Sequence, residues 1–220
     1  MRVVGTVLSL VVLGAVGAAG AALAGADSRH MSFFVTHVAP GKGGDLGGLE
    51  GADAYCAVLA KAAGSRRRDW HAYLSTQADA AAPAINARDR IGRGPWRNAN
   101  GVVVARDLEE LHATNHIAHD TALDEYGARV NGRTDTPPMH DILTGSTTQG
   151  MAFPAGEDRT CHNYTSSSEG NMQMGHHDRA GPATSPTGTS WNSSHATKGC
   201  SPEAFRSRGG AGLLYCFAGH

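Results

Sequence analysis

Residues 33–64 read FFVTHVAPGKGGDLGGLEGADAYCAVLAKAAG, and this stretch carries the first two elements of the fold. Ser32 to Val38 is dense in β-branched and aromatic residues and is followed by Pro40, Gly41, Gly43 and Gly44, which predicts a strand running into a loop. From Ala52 to Ala63, Tyr55, Leu59 and Ala62 recur at helical spacing and Gly64 supplies a stop, so a helix is expected there with Cys56 on it. Working outward, Trp70 to Thr76 alternates Trp70, Ala72 and Leu74 against His71, Tyr73 and Ser75, the pattern of a half-buried strand. Pro95-Trp96, the turn Asn98-Ala99-Asn100-Gly101 and Val102 to Val104 read as a hairpin, because Asn and Gly tolerate the positive φ that such a turn needs. Asp107 to His112 reads as one or two helical turns. Thr114 to Met139 and Ser166 to Ala211 hold no period and are expected to be long irregular loops, which in a compact domain are usually functional or disordered.

Four cysteines, Cys56, Cys161, Cys200 and Cys216, punctuate the chain, with Trp191-Asn192 between the second and third. Four cysteines allow three connectivities, and spacing does not choose among them. The segments around them are similar to the endostatin-like domains at the C-terminus of some collagens, which have the C-type lectin-like fold. Gly51-Ala52-Asp53 with Cys56 matches their G-A-D-x-x-C helix. Residues 69–77 (DWHAYLSTQ), 85–91 (INARDRI) and 94–105 (GPWRNANGVVVA) resemble the strand, turn and strand that follow. Ile142 to Ser146, Thr160 to Tyr164 and Leu213 to Phe217 resemble their later segments, so the likeness runs from residue 33 to residue 217.

The resemblance implies one α+β domain over residues 32–220, with a mixed antiparallel sheet, a disulfide-linked N-terminal helix and long irregular loops. It also implies the pairing Cys56–Cys216 and Cys161–Cys200, and a bacterial-type secreted lectin-like protein that holds its ligand in the long-loop region.

The N-terminus supports export. Arg2 precedes an uncharged run from Val3 to Ala24 that ends in Ala22-Leu23-Ala24, the layout of a signal peptide over residues 1–24, leaving residues 25–31 as a short tail. A retained membrane anchor is the alternative; cleavage leaves no stable membrane insertion. Export places the chain in a periplasmic or extracellular, oxidising space, where an even number of cysteines reads as disulfides. With 19 Lys and Arg against 20 Asp and Glu, the balance argues against a nucleic-acid partner.

Three groups of residues are candidates for chemistry. Sugar-binding lectin-like domains hold calcium through a W-N-D segment and an E-P-N or Q-P-D loop. Here the first reads Trp191-Asn192-Ser193, without the carboxylate, and the second is missing, although Trp191 and Asn192 stay candidate ligand-binding residues. Among 12 histidines, His140-Asp141, His176-His177-Asp178 and His195 fall in or beside the loop-rich second half. Imidazole with carboxylate suits a transition ion, so His140, Asp141, His176, His177 and Asp178 are candidate ligands of a divalent metal, zinc or calcium. His195 and Asp178 are further candidates for ligand binding. His116 and His119-Asp120 add another such cluster. Arg66, Arg67 and Arg68 precede the Trp70 strand and are candidates for an anionic glycan.

The expected function is an exported, non-catalytic binding module for an envelope or extracellular glycan or protein, engaged by residues 114–141 and 166–200. The alternatives are a metal-dependent enzyme using the His/Asp groups and a structural envelope protein.

Overall fold

The computed structural model describes residues 28–182 and 184–219. The expected signal peptide and its cleavage point near Gly25 lie outside the described residues. Among those described, no helix is long and apolar enough to cross a membrane.

In chain order the main elements are β1 (Phe33–Val35), α1 (Gly48–Ala62), β2 (Trp70–Ala72), β3 (Trp96–Arg97), β4 (Val103–Ala105), α2 (Leu108–His112), β5 (Asp141–Leu143), α3 (Cys161–Tyr164), β6 (Gln173–His176), β7 (His195–Ala196), α4 (Pro202–Arg206) and β8 (Gly210–Ala218). The fold is α+β around a mixed sheet of order β1-β8-β5-β6-β7, with β2 also paired to β8; β3 and β4 form a separate hairpin. β8 runs parallel to β5, and every other pairing in the sheet is antiparallel.

Along β8, Leu213, Tyr215 and Phe217 pack with Phe33, Val35, Tyr73, Trp96, Ile142 and Trp191 on one face. Leu214, Cys216 and Ala218 pack with Phe34, Ala52, Leu59, Trp70, Leu143 and Met174 on the other. A strand buried on both faces has no polar side to show, which is why this segment is apolar throughout rather than alternating. The Cys56–Cys216 disulfide pins α1 to β8, and Cys161–Cys200 ties α3 to the turn before α4. Each contributes about 2–4 kcal/mol by restricting the unfolded chain. Asp53, in the Gly51-Ala52-Asp53 motif, adds a polar clasp between α1 and β2. Its carboxylate accepts from Ala72 N (2.9 Å) and from the Arg90 guanidinium (2.6 Å), and lies 3.0 Å from His71 Nδ1.

The hairpin and α2 form where the residues predict. The Asn98 side chain accepts from the backbone N–H groups of Asn100 and Val102, and Asp107 caps α2 by accepting from Glu110 N. Three expectations change. First, α1 starts at Gly48 rather than Ala52, because Gly47 and Gly48 take left-handed φ of 74° and 71° and turn the chain into the helix before its apolar period begins. Second, the strand at Trp70 ends at Ala72, and Tyr73 and Ser75 are buried instead of facing solvent, because loops cover the second face of the sheet. Third, residues 166–211 are not irregular throughout: they contain β6, β7 and α4. β6 reads Gln173-Met174-Gly175-His176, with no β-branched residue; its pairing to β5 makes it a strand, not its own propensity. Packing also begins one residue before 32, since Met31 is fully buried.

Candidate metal centre

β5, β6 and β7 are consecutive neighbours in the sheet, and their ends bring together residues far apart in sequence. Asp141 lies directly across from His176, and His195 lies across from Met174, one diagonal step from His176. Cross-strand partners have their Cβ atoms about 5 Å apart, so the side chains of such a set can reach a shared point. On the other edge of β5 the chain entering β8 passes close beneath: a Cβ on Gly209 would meet the His140 ring at 3.0 Å, and one on Gly210 would meet the Asp141 Cβ at 2.9 Å. Only glycine permits that approach.

The geometry centres on the wholly buried carboxylate of Asp141. His140 Nε2 lies 3.2 Å and His176 Nε2 3.1 Å from its Oδ1, and His195 Nε2 lies 3.3 Å from its Oδ2. Donor atoms of His140, Asp141 and His176 all fall within 4.8 Å of one another. None of these contacts has hydrogen-bond geometry: both Asp141 oxygens and His176 Nε2 are buried without a hydrogen-bond partner.

The opposite nitrogen of each ring is engaged. His176 Nδ1 donates to the Gly188 carbonyl (2.7 Å), His140 Nδ1 faces Asp178 Oδ1 (3.3 Å), and His195 Nδ1 faces the Ala196 carbonyl (3.3 Å). A proton on Nδ1 leaves a neutral imidazole with a bare lone pair on Nε2. Three such lone pairs against a carboxylate are acceptors facing an acceptor, an arrangement that a cation between them resolves. Backing of this kind behind each imidazole is what orients histidine ligands in metal sites.

Asp178 anchors that outer layer. Its carboxylate accepts from Arg133 N (2.6 Å) and Ala180 N (2.9 Å) as well as facing His140. Burial by itself pushes the Asp178 carboxyl up, but the His140 ring and the two backbone donors outweigh it and hold the group well below the usual carboxylate range. Asp141 behaves alike: burial raises it, while the His176, His195 and His140 rings around it bring it below its ordinary value.

The donor set fits a transition ion. Ligand atoms with bonds of about 2.0–2.1 Å stand about 3.3–3.4 Å apart in a tetrahedral site, close to the 3.2 and 3.1 Å from His140 and His176 Nε2 to Asp141 Oδ1; His195 Nε2 stands on the other oxygen, Oδ2, outside the group of donor atoms that lie within 4.8 Å of one another. Imidazole suits zinc, iron, copper or nickel. Calcium takes six to eight oxygens, so this nitrogen-rich set does not suit it. His140, His176 and His195 also line a cleft of about 310 Å³, together with Arg133, Pro138, Pro182, Ser207, Arg208 and Gly209.

Other candidates lie elsewhere. His177 follows His176 but turns away from the carboxylate: its Nε2 lies 3.0 Å from the Asn131 carbonyl, its ring packs on His119, and burial lowers its pKa to about 4. Trp191 is 3% exposed and packs against Tyr73 and Tyr215, with centroids 4.8 and 5.2 Å away, so it is a core residue and not a platform for sugar. Asn192 is buried, and its amide donates to the Tyr73 hydroxyl and to the Thr147 and Thr148 carbonyls. Arg66, Arg67 and Arg68 line a separate cleft with Lys61 and Trp70. His116 and His119 pair with different acids, Glu110 at 3.8 Å and Asp135 at 3.2 Å, and do not share a site. The place of His195 beside Asp141 had no signal in the sequence, since nothing in residues 191–197 announces a strand paired to β6.

No protein-family model and no curated protein matches this chain.

Proposed function

We propose that this protein is an exported metalloprotein in which His140, Asp141, His176 and His195 hold one divalent transition-metal ion that meets its ligand in the adjoining cleft. The observation that carries this reading is the buried, unpartnered carboxylate of Asp141, faced by three imidazoles whose other nitrogens are engaged. Two disulfides support an oxidising compartment, secreted, periplasmic or extracellular. The endostatin-like, C-type lectin-like assignment goes with this proposal. It is supported by the helix joined by a disulfide to the last strand, and by the second disulfide across the loop-rich half.

On this reading the expected module for an envelope glycan or protein works through a metal. A catalytic use of the ion is favoured by one observation: His195 is 24% exposed while Asp141 and His176 are sealed, so the coordination sphere opens on the cleft side. A bound ion there supplies a Lewis acid and an activated water.

Metal analysis of protein refolded with zinc, cobalt, nickel or manganese and then desalted tests the proposal. One equivalent of a transition ion per chain is expected in wild type, and none in His176→Ala or Asp141→Asn. Wild type that retains no ion from any of the four solutions would overturn it.

A further inference from the structure

The cleft beside the candidate metal centre is cationic on every charged position. Its lining includes two arginines, Arg133 and Arg208, and three histidines, and no Asp or Glu. Asp141 is sealed behind the imidazoles and Asp178 behind His140, so neither carboxylate is offered to a ligand entering the cleft. Both arginines are exposed, and neither guanidinium has an ion-pair or hydrogen-bond partner among the described residues. Arg90, Arg106, Arg159 and Arg206, by comparison, are paired to carboxylates.

The two arginines come from segments far apart in the chain. Arg133 belongs to the long loop before β5, where its backbone N–H is fixed by Asp178, the same carboxylate that backs His140. Arg208 lies two residues before β8, next to Gly209, whose backbone passes against the His140 ring. The segments that carry the cations are thus tied to the histidine that would carry the metal.

Resting on the metal centre proposed above, we infer that the cleft binds a small ligand through an oxyanion group, one oxygen on the ion and the others facing Arg133 and Arg208. Guanidinium is suited to this because its planar donors match the edges of carboxylate and phosphate. At about 310 Å³ the cleft is at the small end of ligand pockets, so it accommodates a small acid or the acidic end unit of a glycan rather than a long chain. Phosphate, a free carboxylic acid and an acidic sugar share this chemistry.

Cobalt-loaded protein gives the test, because the visible spectrum of the ion reports an incoming ligand. Wild type is titrated with inorganic phosphate, succinate, glucuronate and, as the neutral control, glucose. Saturable spectral change with at least one anion and none with glucose is expected. Glucuronate alone points to an acidic glycan, succinate or phosphate to a free anion. Arg133→Ala with Arg208→Ala should keep its cobalt and its near-ultraviolet circular dichroism and weaken anion binding at least tenfold. Cobalt-loaded wild type that responds to no anion, or a double variant that binds as tightly as wild type, would overturn the inference and leave the metal centre standing. Wild type that takes up neither cobalt nor any of zinc, nickel and manganese would overturn the metal centre itself, and this inference with it.

Discussion

Replacing Asp141 by Asn keeps the shape of the side chain and removes its charge, so the effect on stability depends on which cation faces it. If the ion is metal, two stability changes of opposite sign follow. In chelator, wild type buries a carboxylate whose two oxygens have no hydrogen-bond partner. Isolated charges of this kind are costly, so Asp141→Asn should be neutral or stabilising, by up to about 3 kcal/mol. At free zinc one hundred times the dissociation constant, binding to the native state alone adds about 2.7 kcal/mol to wild type. For a domain of this size that raises Tm by about 5–11 °C, and the variant should gain almost none of it. Scanning calorimetry of both proteins in chelator and in zinc reads all four values. If the three imidazoles were instead protonated and simply paired with Asp141, removing the carboxylate would cost about 3–5 kcal/mol in either condition. Equal destabilisation in chelator and in zinc would therefore refute the argument from bare lone pairs.

Other perturbations probe the scaffold. Gly209→Ala puts a Cβ against the His140 ring and forces a left-handed φ of 98°, whereas Gly101→Ala forces a similar φ of 78° into open space; both should lose roughly 1–2 kcal/mol, and only the first should lower zinc affinity in a competition titration. Peptide mapping without reduction should recover Cys56–Cys216 and Cys161–Cys200, and Cys216→Ser should cost about 1 kcal/mol more than Cys200→Ser in denaturant melts, because the first bond spans 160 residues and the second 39. Burial pushes the Asp53 carboxyl up, but the His71 contact, the Arg90 charge and the Ala72 N–H bring it below its usual value. A lowered folded pKa gives stability that is present above about pH 3.9 and lost as pH falls through the folded value. Asp53→Asn should thus melt below wild type at pH 7, with the gap closing under pH 4; a gap unchanged across that range would remove the clasp between α1 and β2.

Much of the scaffold was legible in the residues. The helix bearing Cys56, the hairpin around Asn98 and the helical turns from Asp107 to His112 are local patterns, set by side-chain period and turn chemistry within a few residues, whereas the last strand came from the family likeness. The site was legible only as a list. His140, Asp141, His176 and His195 stood among the candidates, but so did His177, and nothing local separates His176 from its neighbour. The register Asp141 to His176 puts that histidine on the carboxylate, while His177, one residue past the end of β6, turns to the Asn131 carbonyl. Trp191 needed the structure too: a tryptophan in a loop-rich stretch reads as core first and as a platform second, and Tyr73 and Tyr215 packed around it decide for the core.

Sequence alone determined the elements whose causes are short-range, and the cysteines that a family likeness could pair. Tertiary structure decided what depends on pairing between distant strands: the conversion of Gln173–His176 into a strand, the meeting of β5, β6 and β7, and the closeness of Gly209 to His140. The physical reason is that register is a property of two strands at once. A one-residue slip exchanges every side chain between faces, so no reading of a single segment can say which of two adjacent histidines looks toward the buried carboxylate.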